Sequence, residues 1–137
     1  MKSITTFLMF VGDQAGKAEE AITLYTSLFD NSEILRVERY GAEENEPEGS
    51  VRVARFTLNG VEHMAIDSAL NHEFTFTPSV SLYVECDSSE EIGAAYKTLL
   101  EDGKALMPLD NYGFSQMFGW VSDKYGVSWQ FNLGNSS

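Results

Sequence analysis

The sequence is poor in cysteine, in basic residues and in long apolar stretches. Its one cysteine, Cys86, excludes an internal disulfide and fits a reducing cytoplasm. Nine Lys and Arg residues stand against 21 Asp and Glu residues, and the net charge of −12 disfavours binding to nucleic acids or anionic membranes. No apolar run approaches the roughly 20 residues of a membrane-spanning helix. We therefore expect a cytoplasmic protein that binds neither nucleic acid nor membrane.

The rest of the composition is that of an ordinary globular chain. With 137 residues, of which 43% are hydrophobic, the chain is long enough for one domain with its own core. The acidic surface would attract a cationic ligand, and it would serve equally well to keep the protein soluble. The charge alone does not distinguish these two roles.

Two stretches show the periodicity of amphipathic helices. Apolar residues recur at positions i, i+3, i+4 and i+7, which predicts a helix with one buried face. These residues are Ala21, Leu24, Tyr25 and Leu28 in the first stretch, and Ile92, Ala95, Tyr96 and Leu99 in the second. Ser88 and Glu91 fit a capping box at the start of the second helix, and Gly103 is a natural stop at its end.

Alternating or continuous apolar runs predict eight strands, four in each half of the chain. The predicted strands cover residues 4–11, 34–40, 51–58, 61–67, 80–86, 105–109, 114–122 and 127–133. The dipeptide Asn59-Gly60 predicts a tight hairpin. A second hairpin is predicted at the turn 123–126, which precedes the last strand. In that strand Trp129 falls on the apolar, core-facing side.

The order of the predicted elements repeats. The first helix overlays the second when Ala21 is placed on Ile92, and each half reads strand, helix, strand, strand, strand. We predict one domain over residues 1–137, made of a module over about residues 4–68, a linker at 69–78 and a module over about 79–133. A single module would leave its sheet edges open. We therefore expect modules to pair, within one chain or between two.

Four segments of the sequence resemble a known family. They are FLMF at 7–10, YTSLF at 25–29, FTPSVSLYV at 76–84 and DKYGVSWQ at 123–130. They are similar to the PhnB-like family, often labelled "3-demethylubiquinone-9 3-methyltransferase", of the vicinal oxygen chelate superfamily, which also includes glyoxalase I, extradiol dioxygenases and bleomycin-binding proteins. The resemblance implies an α+β fold in which two βαβββ modules form curved mixed sheets, with the helices outside and a ligand cup inside. It also implies a homodimer, since the superfamily commonly places modules of two chains side by side.

Metal-dependent members of the superfamily bind a divalent ion in the cup through His and Glu side chains. The resemblance places the four ligand positions at Thr6, Met64, Ser81 and Gln130. These side chains are weak or mismatched donors for a divalent ion, so we expect no metal and no other cofactor. The two histidines, His63 and His72, have no partner at metal-site spacing. A one-residue slip in the alignment would exchange the faces of a strand, which leaves a metal centre open as the alternative.

Strand parity predicts which side chains line the cup. They are Thr6, Leu8, Phe10, Glu62, Met64, Ser81, Tyr83, Glu85, Ser128, Gln130 and Asn132, and Tyr112, Phe114 and Trp120 are expected to close the mouth. Apolar walls with a few convergent polar groups are typical of small-molecule sites. The alternative is a sheet face that is solvent-exposed in the monomer and binds no ligand.

The predicted function is small-molecule binding, and the acidic charge and aromatic cup favour a cationic or aromatic ligand. One alternative is an enzyme, metal-dependent or metal-independent, such as a lyase, a dioxygenase or the methyltransferase of the family label. Another is an acidic protein that sequesters a drug, as bleomycin-binding proteins do. Glu62 and Glu85 are the candidate general bases, a role that requires burial of the carboxylate. The sequence has no glycine-rich strand-to-helix turn of the kind that binds S-adenosylmethionine, and whether the protein is an enzyme stays open.

Overall fold

The computed structural model describes residues 1–134 and contains two compact units, Met1–Thr75 and a second that begins at Phe76. The first unit contains β1 (Thr6–Phe10), a 3-10 turn (Gly12–Gln14), α1 (Ala18–Leu28), β2 (Glu33–Arg39), β3 (Val51–Leu58) and β4 (Val61–Asp67). The second contains β5 (Ser81–Cys86), α2 (Ser89–Leu100), β6 (Lys104–Asp110), β7 (Met117–Ser122) and β8 (Ser128–Leu133). The predicted α+β fold with two βαβββ modules is confirmed. That the two units form one domain with a linker at 69–78 stays a prediction.

Both sheets have four strands in the same order, β1-β4-β3-β2 in the first unit and β5-β8-β7-β6 in the second. In each unit the first and last strands pair in parallel, and the other neighbours are antiparallel. Each helix packs on one face of its own sheet, and we call the opposite face the far face. Neither helix within residues 1–134 is long and apolar enough to cross a membrane.

The core of the first unit lies between α1 and its sheet. Ala21 and Tyr25 are fully buried, as the helical periodicity predicts, whereas Leu24 and Leu28 are half-buried. Ile22, which the predicted face did not include, is fully buried as well. Asp67 at the end of β4 is buried as well, and its Oδ1 accepts hydrogen bonds from the backbone N–H groups of Gly16 at 2.8 Å and Ala18 at 3.0 Å. A buried carboxylate therefore ties the end of β4 to the positive end of the α1 dipole.

The start of α2 carries the Ser88 cap that its sequence predicts, and the return hydrogen bond of the predicted capping box is shifted by one residue. The Ser88 side chain accepts a hydrogen bond from the backbone N–H of Glu91 at 3.1 Å. The Glu91 carboxylate reaches back and accepts from the backbone N–H of Asp87 at 2.8 Å, one residue before the capping position. The first bond satisfies a donor that the first helical turn leaves without a partner, and the second fixes the residue before the cap, so this helix start is well defined.

The end of α2 differs in detail from the prediction, which assigned the stop to Gly103. The residue in the left-handed region is Asp102, with φ 57°, one position earlier. A Cβ at Gly103 would lie 2.5 Å from the backbone oxygen of Ser122, at the end of β7. Glycine is therefore required at this position because two backbone segments approach closely, and not because of its turn geometry.

Both predicted hairpins are present. Asn59 and Gly60 both have positive φ, 50° and 80°, which is the geometry of a type I′ turn. In the second hairpin, Gly126 has φ 92° and its N–H donates to the backbone oxygen of Asp123 at 2.9 Å. Trp129 in the following strand is 1% exposed, as its place on the apolar side of that strand predicts. The second hairpin thus carries β8 into the core of its unit.

Candidate functional site

The far face of the second sheet carries three rows of side chains. Residues that pair directly across strands point to the same face of a sheet, so the pairing register defines each row. From β5 to β6 the rows are Ser81, Ser128, Ser122 and Lys104; Tyr83, Gln130, Trp120 and Met107; and Glu85, Asn132, Phe118 and Asp110. The chemistry therefore changes across this face, from hydroxyls to aromatic and amide groups and then to carboxylates.

The opposite face of the same sheet packs on α2. A Cβ at Gly119 would lie 2.7 Å from the ring of Tyr96, so this position points directly at the helix. Phe131, which pairs with Gly119, contacts the same ring edge-on, with ring centres 6.3 Å apart. Because side chains alternate along a strand, Gln130 and Asn132 point away from α2, onto the far face.

Four side chains of the far face form a connected hydrogen-bond network. The hydroxyls of Ser81 and Ser128 lie 2.7 Å apart. The indole Nε1 of Trp120 donates to Ser128 Oγ at 2.8 Å, and Nε2 of Gln130 donates to Ser81 Oγ at 3.2 Å. Ser128 is 1% exposed, whereas the other three side chains are partly exposed. The network therefore leads from a buried hydroxyl to polar groups at the surface.

Two carboxylates lie at the two ends of the third row. Oε2 of Glu85 accepts a hydrogen bond from Nδ2 of Asn132 at 2.9 Å, which holds the carboxylate over β8. Asp110 lies in the same row, paired with Phe118. Both carboxylates are exposed in a chain whose net charge is −12, so the third row of the far face attracts cations.

Aromatic rings border these carboxylates. Tyr83 is 54% exposed, and its ring centre lies 6.5 Å from that of Phe118. Phe118 also meets Tyr112 and Phe114 edge-on, with ring centres 6.3 Å and 5.2 Å apart. Partial burial and the charge of Glu85 raise the pKa of Tyr83, so its phenol is protonated at neutral pH. The rings offer a flat aromatic ligand several surfaces beside a negative charge.

The residues that the sequence assigned to the cup in the second module do share one face. They are Ser81, Tyr83, Glu85, Trp120, Ser128, Gln130 and Asn132. Hydrogen bonds join six of them. Ser81, Ser128, Trp120 and Gln130 belong to the network, and Glu85 pairs with Asn132. That these residues bind a ligand stays a prediction.

In the first unit the residues assigned to the cup divide between two faces. Thr6, Leu8 and Phe10 pair with His63, Ala65 and Asp67, which place them on the side of α1. Leu8 and Phe10 are buried there. Met64 and Glu62 lie on the far face, where Met64 pairs with Phe7. The prediction of one shared face is therefore wrong for Thr6, Leu8 and Phe10.

The cause of this error is the connection between β1 and α1. It contains the 3-10 turn Gly12–Gln14, whereas β5 and α2 are joined by only two residues. Counting back from the start of the helix therefore placed β1 out of register by one residue, and a shift of one residue reverses every side chain. The partner of Met64 is Phe7, as the partner of Gln130 is Tyr83.

The far face of the first sheet has a different chemistry. Phe7, Met9, Met64 and Ile66 give it an apolar strip along β1 and β4. Glu62 follows on β4, where its carboxylate forms an ion pair with Arg55. Among the described residues 1–134, this face has no hydroxyl and amide network of the kind seen in the second unit. We therefore place the candidate site on the second sheet.

The two candidate general bases are both exposed. Glu62 is paired with the guanidinium of Arg55, and Glu85 accepts a hydrogen bond from Asn132. The burial that a general-base role requires is observed at neither carboxylate. A catalytic role for either residue stays a prediction, and their positions lend it no support.

The two histidines have structural surroundings. His63 lies on the α1 side of β4, and its ring centre is 5.5 Å from that of Phe56. Burial disfavours the charged imidazolium and lowers the pKa of His63. Nε2 of His72 lies 2.8 Å from the Ser68 hydroxyl, in the segment after β4.

The donors at the metal-equivalent positions do not fit a divalent ion. Ser81 and Gln130 are hydrogen-bonded to each other through neutral groups, and Met64 offers a thioether. Divalent ions prefer imidazole nitrogens and carboxylate oxygens. Within residues 1–134 no group of three or more His, Cys, Asp or Glu side chains could hold a metal ion.

Apart from Trp120, sequence reasoning missed the part of the face that β6 and β7 supply. Phe118 and Ser122 alternate with Gly119 and Val121 along β7, and this alternation was available as a signal. The side chains of β6 could not be placed in this way. Its pairing with β7 has two register shifts, one on each side of Met107, so simple parity fails along that strand.

Comparison with known proteins identifies a family and similar solved structures. The chain matches the model of the family described as 3-demethylubiquinone-9 3-methyltransferase over residues 2–132. A solved structure of a putative 3-demethylubiquinone-9 3-methyltransferase, PhnB protein, from Bacillus cereus is 56% identical, with a TM-score of 0.92. The match covers 97% of this chain and 100% of that chain. No curated protein matches the chain.

Two more distant solved structures share the fold. Protein PA1353 from Pseudomonas aeruginosa is 22% identical with a TM-score of 0.79, and the match covers 98% of this chain and 100% of that one. The fosfomycin resistance protein FosX from Listeria monocytogenes is 10% identical with a TM-score of 0.63, over 98% of this chain and 94% of that one. The FosX structure contains Mn(II) and 1S,2S-dihydroxypropylphosphonic acid.

Proposed function

Because the chain belongs to the 3-demethylubiquinone-9 3-methyltransferase family, the PhnB-like branch of the vicinal oxygen chelate superfamily, we propose that it binds a small molecule on the far face of its second sheet. The observation that carries this proposal is the network of Ser81, Ser128, Trp120 and Gln130 beside exposed aromatic rings. Polar groups that converge beside apolar surface are what small-molecule sites use to orient a ligand.

The ligand we propose is flat, aromatic and cationic. Tyr83 offers an exposed ring surface, and its ring lies against Phe118, which stands in the same row as Glu85 and Asp110. A cation held near aromatic faces and carboxylates gains from both, and the net charge of −12 would speed its approach. We propose that binding needs no metal ion or cofactor, since the converging donors are hydroxyls and amides.

Titration with a matched pair of aromatic molecules tests this function. The probes are 1-methylquinolinium, which is cationic, and quinoline, which is neutral at pH 7.5. We expect the cation to bind about tenfold more tightly at low salt and to lose this advantage at high salt. The readout is the indole N–H signal in 1H–15N NMR spectra, because Trp120 lies in the network and Trp129 is in the core. Only the Trp120 signal should move, and EDTA should leave the affinity unchanged.

A pair of charge variants provides the control for this titration. Glu85→Gln removes one carboxylate of the far face and should reduce the preference for the cation. Glu90→Gln removes an exposed carboxylate in the first turn of α2, on the other side of the sheet, and should leave the preference intact. A Trp120 signal that responds to neither probe would contradict the proposed site.

We also propose that the protein forms a homodimer. Large apolar side chains are exposed at several points of both units, among them Phe7, Phe74, Val80 and Phe114. Exposed apolar surface of this kind and open sheet edges are commonly covered by a second chain. Sedimentation equilibrium at micromolar concentration should give twice the chain mass of 15.3 kDa. A single species of 15.3 kDa over that range would rule the dimer out.

A cytoplasmic location is the last part of the proposal. Cys86 is the one cysteine of the chain, and it is buried. Burial, reinforced by the charges of Glu91, Asp87 and Glu85, raises the pKa of its thiol to about 12. The thiol therefore stays protonated and unreactive at neutral pH, which fits a chain that uses no disulfide.

A further inference from the structure

The network on the far face fixes the direction of its own hydrogen bonds. Ser128 Oγ accepts from the indole of Trp120, and Ser81 Oγ accepts from the amide of Gln130. The two hydroxyls lie 2.7 Å apart, so one of them donates its proton to the other. A hydroxyl has one proton, and the one that accepts this bond must find another acceptor for its own proton.

Burial decides which hydroxyl donates. If Ser81 donated to Ser128, the Ser128 proton would be left in a side chain that is 1% exposed, with no acceptor among residues 1–134. A buried donor without a partner is costly. If Ser128 donates to Ser81, the remaining proton belongs to Ser81, which is partly exposed on the far face. The Ser81 hydroxyl is therefore the outward donor of the network.

The same assignment of donors and acceptors leaves one hydrogen-bond acceptor of the network at the surface. Nε2 of Gln130 is engaged with Ser81, while Oε1 of Gln130 accepts no hydrogen bond within residues 1–134. Gln130 is partly exposed on the same face. An outward donor on Ser81 and an outward acceptor on Gln130 therefore stand side by side, directly beside the exposed ring of Tyr83.

We propose that Ser81 and Gln130 bind the edge of a carboxamide or lactam carried by the aromatic ligand. The ligand carbonyl accepts from the Ser81 hydroxyl, and the ligand N–H donates to Oε1 of Gln130. A side-by-side donor and acceptor match an amide edge, whereas a ketone or an ester lacks the N–H and leaves Oε1 of Gln130 without a partner. This inference rests on the proposed function and adds the chemical group that the site selects.

A matched pair of cations tests the inference. 1-Methylnicotinamide carries a primary carboxamide, and 3-acetyl-1-methylpyridinium has a methyl ketone in its place. Both have the same ring charge, so the comparison isolates the amide N–H. We expect the carboxamide to bind about tenfold more tightly, measured from the Trp120 indole signal. Equal affinity of the two cations would overturn the inference.

Two hydroxyl variants locate the selectivity. Ser81→Ala removes the outward donor and should weaken binding of the carboxamide about tenfold. Ser122→Ala is the matched control, because Ser122 lies in the same row of the far face but makes no hydrogen bond in the network. It should leave the affinity unchanged. Equal effects of the two variants would also overturn the inference. If Ser81→Ala does not fold, Gln130→Met takes its place as the test. This variant should abolish the preference for the carboxamide, and a preference that persists would overturn the inference.

The outcomes separate this inference from the proposed function. If 1-methylquinolinium moves the Trp120 signal while the two pyridinium probes bind equally, or not at all, the face binds aromatic cations and the amide inference is wrong. If none of the three cations moves that signal, both proposals fail together.

Discussion

Replacement of Asp67 by alanine should lower the free energy of unfolding by about 4 kcal/mol. The carboxylate is 2% exposed and accepts three backbone hydrogen bonds, from Gly16 at 2.8 Å, Ala18 at 3.0 Å and Val51 at 2.8 Å. Alanine would leave three buried or partly buried donors without an acceptor, and it would remove a negative charge from the start of α1. Chemical denaturation followed by far-UV circular dichroism measures the loss.

Two further substitutions show whether the cost has this origin. Asp67→Asn keeps the shape and one acceptor oxygen but presents an amide N–H₂ group to one of the donors, so we expect roughly half the loss. Asp13→Ala removes an exposed carboxylate from the 3-10 turn before α1 and should change the stability by less than about 0.5 kcal/mol. Similar losses of stability at positions 13 and 67 would show that the Asp67 carboxylate does not hold the end of β4 to the start of α1.

The contacts of Asp67 could not be predicted from the sequence. A carboxylate at the end of a strand is usually exposed, and its three partners lie 16 to 51 residues away in the sequence. Nothing in the spacing of Asp67 indicates these contacts. The strand itself could be predicted, since Val61 to Asp67 follows the strong Asn59-Gly60 turn signal.

The second unit could be predicted in more detail than the first. Its first strand leads almost directly into α2, and its last strand alternates strictly between polar and apolar residues. Ser81, Tyr83, Gln130 and Asn132 could therefore be placed on one face by parity alone. In the first unit the 3-10 turn adds residues between β1 and α1. Counting back from the helix therefore assigned the side chains of β1 to the wrong faces of the sheet.

The hydrogen-bond directions on the far face lie beyond any sequence pattern. Parity places Ser81, Ser128, Trp120 and Gln130 on one surface, but it does not state which hydroxyl is buried. That difference depends on where the Trp120 ring lies over β8, because its indole donates to Ser128 and leaves Ser81 nearer the surface. The chemical preference of the site therefore follows from packing rather than from residue type.

Asp123 should be as important to the second unit as Asp67 is to the first. Its side chain is 4% exposed, and Oδ1 accepts from the backbone N–H groups of Tyr125 at 2.9 Å and Val127 at 3.0 Å. Oδ2 accepts from the indole Nε1 of Trp129 at 3.0 Å. One carboxylate thus fixes the turn and the largest core side chain of β8 together, as an Asx turn extended into the core.

Asp123→Ala should therefore cost about 3 kcal/mol of unfolding free energy and move the Trp129 indole signal in NMR spectra. Because β8 begins at residue 128, we also expect a looser network on the far face and weaker binding of cationic probes. Lys124→Ala, at the exposed next position of the same turn, removes a side chain whose ammonium lies 5.3 Å from the Tyr125 ring and should cost less than about 1 kcal/mol. Denaturation midpoints that coincide for the two variants would show that the Asp123 carboxylate does not hold the hairpin. A Trp129 signal that stays in place in Asp123→Ala would show that its indole has another acceptor.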